Sequence, residues 1–351
     1  MGWLSGWNYR KKITIKHTNV DGNLTNFPIY VDITDDGEIG THISDPVSGY
    51  DIRFTQSDGT TLLKYEREYF NVAVSVATGH YWVKVPSILA ASGAEIYIYY
   101  NDGDGTIDGE DAANVWDSNF KGVWHLKETA GAAIDSSGEG NNGTFHGSLP
   151  TQVDGKIYKG QYLNGVGDFI DFGDVLRAAE STYETGVIEI WFKPEGPWYN
   201  WNSIWDNIID PNQWEMWIYN DGRVAGRISY PGSTKVEYGL DNLEGPDHWY
   251  LIGSTWEKNG NKQLFVQGVL RDTEAVLWTE SGANFYIGGG HVDNTFAKGI
   301  MCELRISVDI VRIAAWNKFG FFNVNAGDNE LIWSGEGVPS PEWTPRIIMI
   351  L

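Results

Sequence analysis

The 351-residue chain carries 25 Lys and Arg against 47 Asp and Glu, a formal net charge of −22 at pH 7. A surface that acidic repels phosphate backbones, which excludes a nucleic-acid binder, and it disfavours anionic membranes. Its 42 glycines, where an average chain of this length holds roughly 25, and its 17 Trp, 18 Tyr and 14 Phe predict an all-β protein rich in turns and exclude a disordered one.

Met1 to Trp7 lacks a basic stretch followed by an apolar run, so no signal peptide is expected. No apolar run approaches the roughly 18 residues of a membrane-spanning helix. Strand-like runs then follow one another: Lys11 to Lys16, Phe27 to Ile33, Tyr81 to Val85 and Glu95 to Tyr100, each bounded by Gly, Pro, Asn or Asp. Many short strands with polar turns predict two antiparallel β-sandwich domains of the jelly-roll kind. The acidic, Gly-rich stretch Asn101 to Asp111 marks a seam, with a boundary near residue 112; Asp111 to Trp116 is the one weak helix candidate. A first domain over 1–112 and a second over 113–316 are expected. Cys302, the only cysteine, sits in an alternating run, Gly299 to Ile306, and is expected to be a buried thiol used as a small apolar group. Residues 317–351 bring two more strand-like pieces, Phe319 to Val324 and Glu330 to Trp333, then a Pro-containing tail and the apolar end Ile347 to Leu351. This segment is expected to pack back on a sheet or to dock on a partner.

Several motifs carry a resemblance. Trp7, Arg10, Asn26-Phe27-Pro28, Asp51 to Thr60, Tyr65-Glu66, Trp82 to Pro86 and Ile96 to Tyr100 together resemble an uncharacterised β-domain family that commonly precedes concanavalin-A-like modules. Gly122 to Leu126, Asp135 to Gly138, Asn141 to Thr144, Asp168 to Gly173, Ile188 to Pro194, His248 to Tyr250, Phe285 to Gly289 and Glu303 to Ile306 resemble the concanavalin-A-like, laminin-G-like jelly roll. That resemblance implies two face-to-face antiparallel sheets and leaves function open, because the family is functionally mixed.

The resemblance also implies a structural calcium, with Asp135 and Glu303 at the matching positions. The alternative is that Asp135 makes an Asx-turn and Glu303 pairs with Arg305. The run Asp102 to Asp108 looks like a calcium loop, but it has Ile107 at the sixth position and Ala113 at the twelfth, which points to an acidic linker. No organic cofactor is expected.

Between Pro197 and Asn207 the chain crowds Trp198, Tyr199, Trp201, Asn202, Trp205 and Asp206 into what reads as a loop between strands. Flat rings suit a pyranose C–H face, and amides and carboxylates suit its hydroxyls. The segment is therefore expected to contact sugar or a partner subunit; inward packing is the competing reading. Catalysis has little support. The Glu-x-Asp-x-x-Glu strand of β-glucan hydrolases is missing, the seven His are scattered, and Gly288-Gly289-Gly290-His291 lacks the Lys of a phosphate loop. The residues thus predict a non-catalytic, lectin-like adhesion module that binds a glycan or cell-surface polysaccharide, as a homo-oligomer or assembly subunit at a virion or other extracellular surface. The alternatives are a purely structural virion or appendage subunit and, more remotely, a glycoside hydrolase.

Overall fold

The computed structural model describes residues 2–178, 181–197, 202–209, 212–228, 235–240, 244–277, 284–289, 295–325 and 330–339. Six strands come first: β1 (Tyr9–Ile15), β2 (Leu24–Asp36), β3 (Ile52–Gln56), β4 (Tyr65–Ala73), β5 (Val76–Ile88) and β6 (Ala94–Tyr100), with the short helix α1 (Gly37–His42) after β2. They form two sheets. One has the order β24-β1-β6-β3, where β24 is Leu331–Trp333 from near the C-terminal end; the other is β2-β5-β4. Alternation places Ile13, Ile15, Ile52, Phe54, Ile96 and Ile98 of the first sheet against Ile29, Val31, Tyr65, Tyr81 and Val83 of the second, in one buried core. The acidic linker is held to this unit: Arg67 Nη2 donates to Asp108 Oδ2 (2.8 Å) and Arg53 Nη2 to the Ile107 carbonyl (2.8 Å).

The second unit opens with β7 (Phe120–Trp124), β8 (Thr144–His146), β9 (Gln152–Asp154), β10 (Lys159–Asn164) and β11 (Phe169–Asp171). After the two-residue strands β12 (Arg177–Ala178) and β13 (Ser181–Thr182) come β14 (Thr185–Pro194), β15 (Asn202–Ile209), β16 (Asn212–Ile218), β17 (Arg223–Ile228) and β18 (Val236–Gly239). The set closes with β19 (Tyr250–Glu257), β20 (Asn261–Val266), β21 (Val269–Ala275), β22 (Tyr286–Ile287) and β23 (Lys298–Val308). An eight-stranded sheet, β21-β20-β19-β14-β23-β10-β9 with β7 also on β23, faces a seven-stranded sheet, β18-β17-β16-β15-β22-β11-β8. Their inner faces share a second core that includes Trp124, Ile190, Phe192, Ile204, Met216, Ile252 and Leu304. The protein is all-β, with two sandwich units as the strand runs predict.

The two units are fused. The outer face of β2-β5-β4 lies on the outer face of the eight-stranded sheet, so that Val123, Trp191, Leu251 and Cys302 belong to the first unit's core. The central strand β14 is therefore buried on both faces, and its Val187 to Phe192 run has no polar alternation beyond Glu189. Cys302 is a buried thiol in this seam, as expected.

Residues Phe319 to Val324 form part of a helix, α2 (Ala314–Asn325), where the sequence predicts a strand. Their aromatics favour a strand, but the slot they occupy is apolar on more than one side, and packing overrides propensity. Trp316 and Phe319 lie against Phe27 (ring centroids 4.5 and 5.3 Å), and Phe321 stacks on Trp191 (5.8 Å). Asn323 also caps the free edge of β2. Its Oδ1 accepts from the Tyr30 N–H (2.6 Å) and its Nδ2 donates to the Tyr30 carbonyl (3.0 Å). Beyond α2, β24 adds to β1 with Ile13 opposite Trp333. Residues 340–351, with the apolar end, lie outside the described residues. Among the described residues no helix is long and apolar enough to cross a membrane.

Phe319 is fully buried, so Phe319→Ala removes a ring from the joint between both units. Denaturant titration should show a loss of about 3–5 kcal/mol. A loss under about 1 kcal/mol would mean that α2 is not seated there.

Candidate functional site

The seam buries charge. Glu66 and Glu68 stand on β4, His125 follows β7, and Glu303 and Arg305 stand on β23. The side chains of His125, Glu66, Glu68 and Glu303 are 0–4% exposed. Strict alternation would point Glu303 inward, between outward Cys302 and inward Leu304. A register shift opposite Ile190 and a positive φ of 55° at Glu303 turn it outward instead. A non-glycine residue in that conformation is costly and persists only where its surroundings demand it.

His125 joins the group. Its Nδ1 lies 2.8 Å from Glu303 Oε1 and 3.2 Å from Glu68 Oε1, and its Nε2 lies 3.0 Å from Glu66 Oε1. Donors fix the carboxylates from behind: Trp82 Nε1 to Glu68 Oε1 (2.6 Å), Trp116 Nε1 to Glu66 Oε2 (2.9 Å) and Arg305 Nη2 to Glu303 Oε2 (2.8 Å). The Arg305 guanidinium lies 4.1 Å above the Trp82 ring. Among the described residues, none gives buried Glu68 Oε2 a hydrogen bond.

Environment separates these acids. Burial, together with the neighbouring Glu303 charge, pushes Glu68 up to about 7. Burial opposes ionisation of Glu303 as well, but His125 and Arg305 outweigh it and hold that carboxyl at about 2. Burial likewise works against the imidazolium of His125, and the three surrounding carboxylates overcome it, raising its pKa well above the usual value.

Asp135 and Glu303, paired in the calcium expectation, do not face one another; β7 lies between them. Asp135 accepts from the N–H groups of Val123, Ser137 and Asn141 (3.0, 2.9 and 3.0 Å), which is the turn-capping alternative, and Glu303 opposite pairs with Arg305. Asp102 Oδ1 similarly caps its own turn through Asp104 and Gly105.

The aromatic segment also departs from expectation. Asn202, Trp205 and Asp206 lie on strand β15, and all three are buried. Trp205 joins the second core because an irregularity between Ser203 and Trp205 lets Ile204 and Trp205 both face inward. It is therefore core rather than a loop ring. Trp198, Tyr199 and Trp201 lie outside the described residues.

Asp206 takes part in a different arrangement, on the outer face of the seven-stranded sheet. Register sets Asp171 beside Tyr286, Tyr286 beside Asp206, Asp206 beside Glu215 and Glu215 beside Arg227, a row that crosses five strands. Rings flank it. Half-buried Phe169 stacks on His146 (4.3 Å, 4° between planes) at one end, while Trp217 and half-buried Tyr219 meet edge to face (5.6 Å) towards the other. Arg223 lies 4.8 Å from the Tyr219 ring. Single residues in β8, β11 and β22 gave no local signal for this row; only strand pairing assembles it.

Residues 48–137 match the family described as Domain of unknown function (DUF2341), and residues 164–310 match the Concanavalin A-like lectin/glucanases superfamily. No curated protein matches the chain. Among solved structures, the receptor binding domain of botulinum neurotoxin C/D mosaic serotype is similar at 17% identity and a TM-score of 0.46, over 60% of this chain and 51% of that one. Domain 4 of an extracellular arabinanase from Geobacillus stearothermophilus, in complex with arabinotriose, is 19% identical with a TM-score of 0.46, over 59% and 98%. The botulinum neurotoxin serotype D ligand binding domain, in complex with N-acetylneuraminic acid, is 16% identical with a TM-score of 0.46, over 61% and 52%. The chain thus spans about half the length of the neurotoxin domains it matches.

Trp205→Ala distinguishes a core ring from a recognition ring. Chemical denaturation should show a loss of about 3–5 kcal/mol; unchanged stability would return Trp205 to the surface.

Proposed function

Taking the chain as a DUF2341-type domain joined to a concanavalin A-like domain, we propose that it is a non-catalytic, lectin-like module that binds a glycan on the outer face of its seven-stranded sheet. The observation that carries this reading is the outer-face row from Asp171 to Arg227, flanked by rings. The eight-stranded sheet spends its outer face on the first unit and α2. The seven-stranded sheet is the layer farther from that joint; on its outer face Asp206 and Trp217 are buried, and half-buried Phe169, Asp171 and Tyr219 with exposed Arg223 are the groups a sugar would meet. Ring faces cover the apolar C–H side of a pyranose, and Asp, Asn and Arg side chains bond its hydroxyls. Asn284, whose Nδ2 donates to Asp171 Oδ2 (3.0 Å), adds an amide to the row.

Trp198, Tyr199 and Trp201, which precede β15 in the sequence, are the further aromatic candidates for this recognition role. The first unit then serves as the mount that fixes the binding sheet, and the module acts in adhesion at an exterior surface, where glycans are met.

A glycan array probed with the intact chain should give discrete hits. Against the best of these, Tyr219→Ala and Phe169→Ala should each weaken binding about tenfold, which is ~1.4 kcal/mol of lost contact, with the melting temperature within a few degrees of the wild type. Trp201→Ala should act in the same direction. Array silence for the wild type, or full binding by all three variants, would overturn the reading and leave this face to a protein partner.

A further inference from the structure

We propose that Glu68, His125 and Glu303 form a first-row divalent metal site, of the Zn2+ or Mn2+ type, that joins the two units at their seam. One ligand atom from each lies within 4.8 Å of the other two. Two ligands held about 2.1 Å from one ion at a tetrahedral angle stand roughly 3.4 Å apart, and the His125 Nδ1 separations of 2.8 and 3.2 Å from the two carboxylates are already close to that.

Three independent features point to a cation. First, Glu68 Oε2 is a buried carboxylate oxygen with no hydrogen-bond partner among the described residues, while Glu68 Oε1, Glu66 Oε2 and Glu303 Oε2 each accept from a donor. Second, the arrangement behind the imidazole suits a ligand. Glu66 engages Nε2, which would hold the proton there and leave Nδ1 with its lone pair towards Glu68 and Glu303. Third, the charge count accommodates a divalent ion when all three carboxylates are ionised. Three carboxylates, Glu66, Glu68 and Glu303, face Arg305 and a single imidazolium, which leaves one negative charge in excess. A divalent ion in place of the proton on Nδ1, with His125 neutral, brings the group to zero. Glu189, also buried, draws on Arg305 and Arg312 and does not relieve the excess, while Lys127 acts on Glu66 and Glu68 from farther off.

The donor set selects the metal class. One imidazole and two carboxylates suit zinc, manganese, cobalt or iron, whereas calcium takes six to eight oxygens. This site differs from the Asp135 loop, whose carboxylate is committed to backbone N–H groups, and one ligand, Glu68, comes from the first unit.

The test uses the intact chain purified without chelator, with metal content read by plasma mass spectrometry, and then chelator-stripped protein titrated with Zn2+, Mn2+ and Co2+. The expected results are close to one equivalent bound per chain, a melting temperature several degrees higher on reloading, and visible Co2+ absorption bands of a nitrogen–oxygen site. Glu68→Gln should lose the equivalent and the bands, and Asp135→Ala should keep both. Should Glu68→Gln fail to fold, the wild-type stoichiometry and Co2+ spectrum decide alone. Wild-type protein that holds no metal, takes none up and melts unchanged would overturn the proposal and leave a proton-held ion network. Uptake lost in Asp135→Ala but kept in Glu68→Gln would overturn it equally, by moving the ion to the loop.

Discussion

An antiparallel sheet buried on both faces can hold charge only where every charge has a partner, and the central strands of the eight-stranded sheet are in that position. Its inner face closes the second core, and its outer face closes the first. Polar groups on that outer face must therefore find partners within the seam. Glu303 is answered by His125 and Arg305, and His125 in turn by Glu66 and Glu68 from β4. Breaking such a buried network from one side costs several kcal/mol, because the remaining charge is stranded. The seam is thus selective. Apolar packing by Trp191, Leu251, Trp316 and Phe319 brings the units together, and the charged cluster admits one register.

The helix α2 belongs to the same constraint. The three-stranded sheet leaves β2 as an edge, and an edge beside an apolar seam invites misassembly. Asn323 occupies the Tyr30 backbone groups while Trp316 and Phe319 fill the gap under Phe27. The chain then returns as β24 to pair with β1, so residues near both ends tie into the first unit. The seven-stranded sheet stands on the side of the second core away from this joint, with its outer row of acids, an arginine and rings.

The sandwich architecture was legible in the sequence because alternation, turn residues and the family motifs all agreed. Local pattern failed where distant partners decided the outcome. Phe319 to Val324 looks like a strand, and only the slot between β2 and Trp191 makes it a helix. Trp205 looks like a loop ring because nothing nearby announces the irregularity that turns it inward. Glu303 was singled out, but for a calcium loop. Its true neighbours, His125 and Glu68, lie far away in sequence, and the bulge that aims it at them follows from pairing between β14 and β23. His125 and Glu66 were visible only inside motifs, and Glu68 carried no local signal.

Because the account rests on the seam, calorimetry of the intact chain tests it most directly. Two units sharing one core and one ion network should unfold together, in a single transition whose calorimetric and van't Hoff enthalpies agree. Two separate transitions, one for each unit, would contradict it.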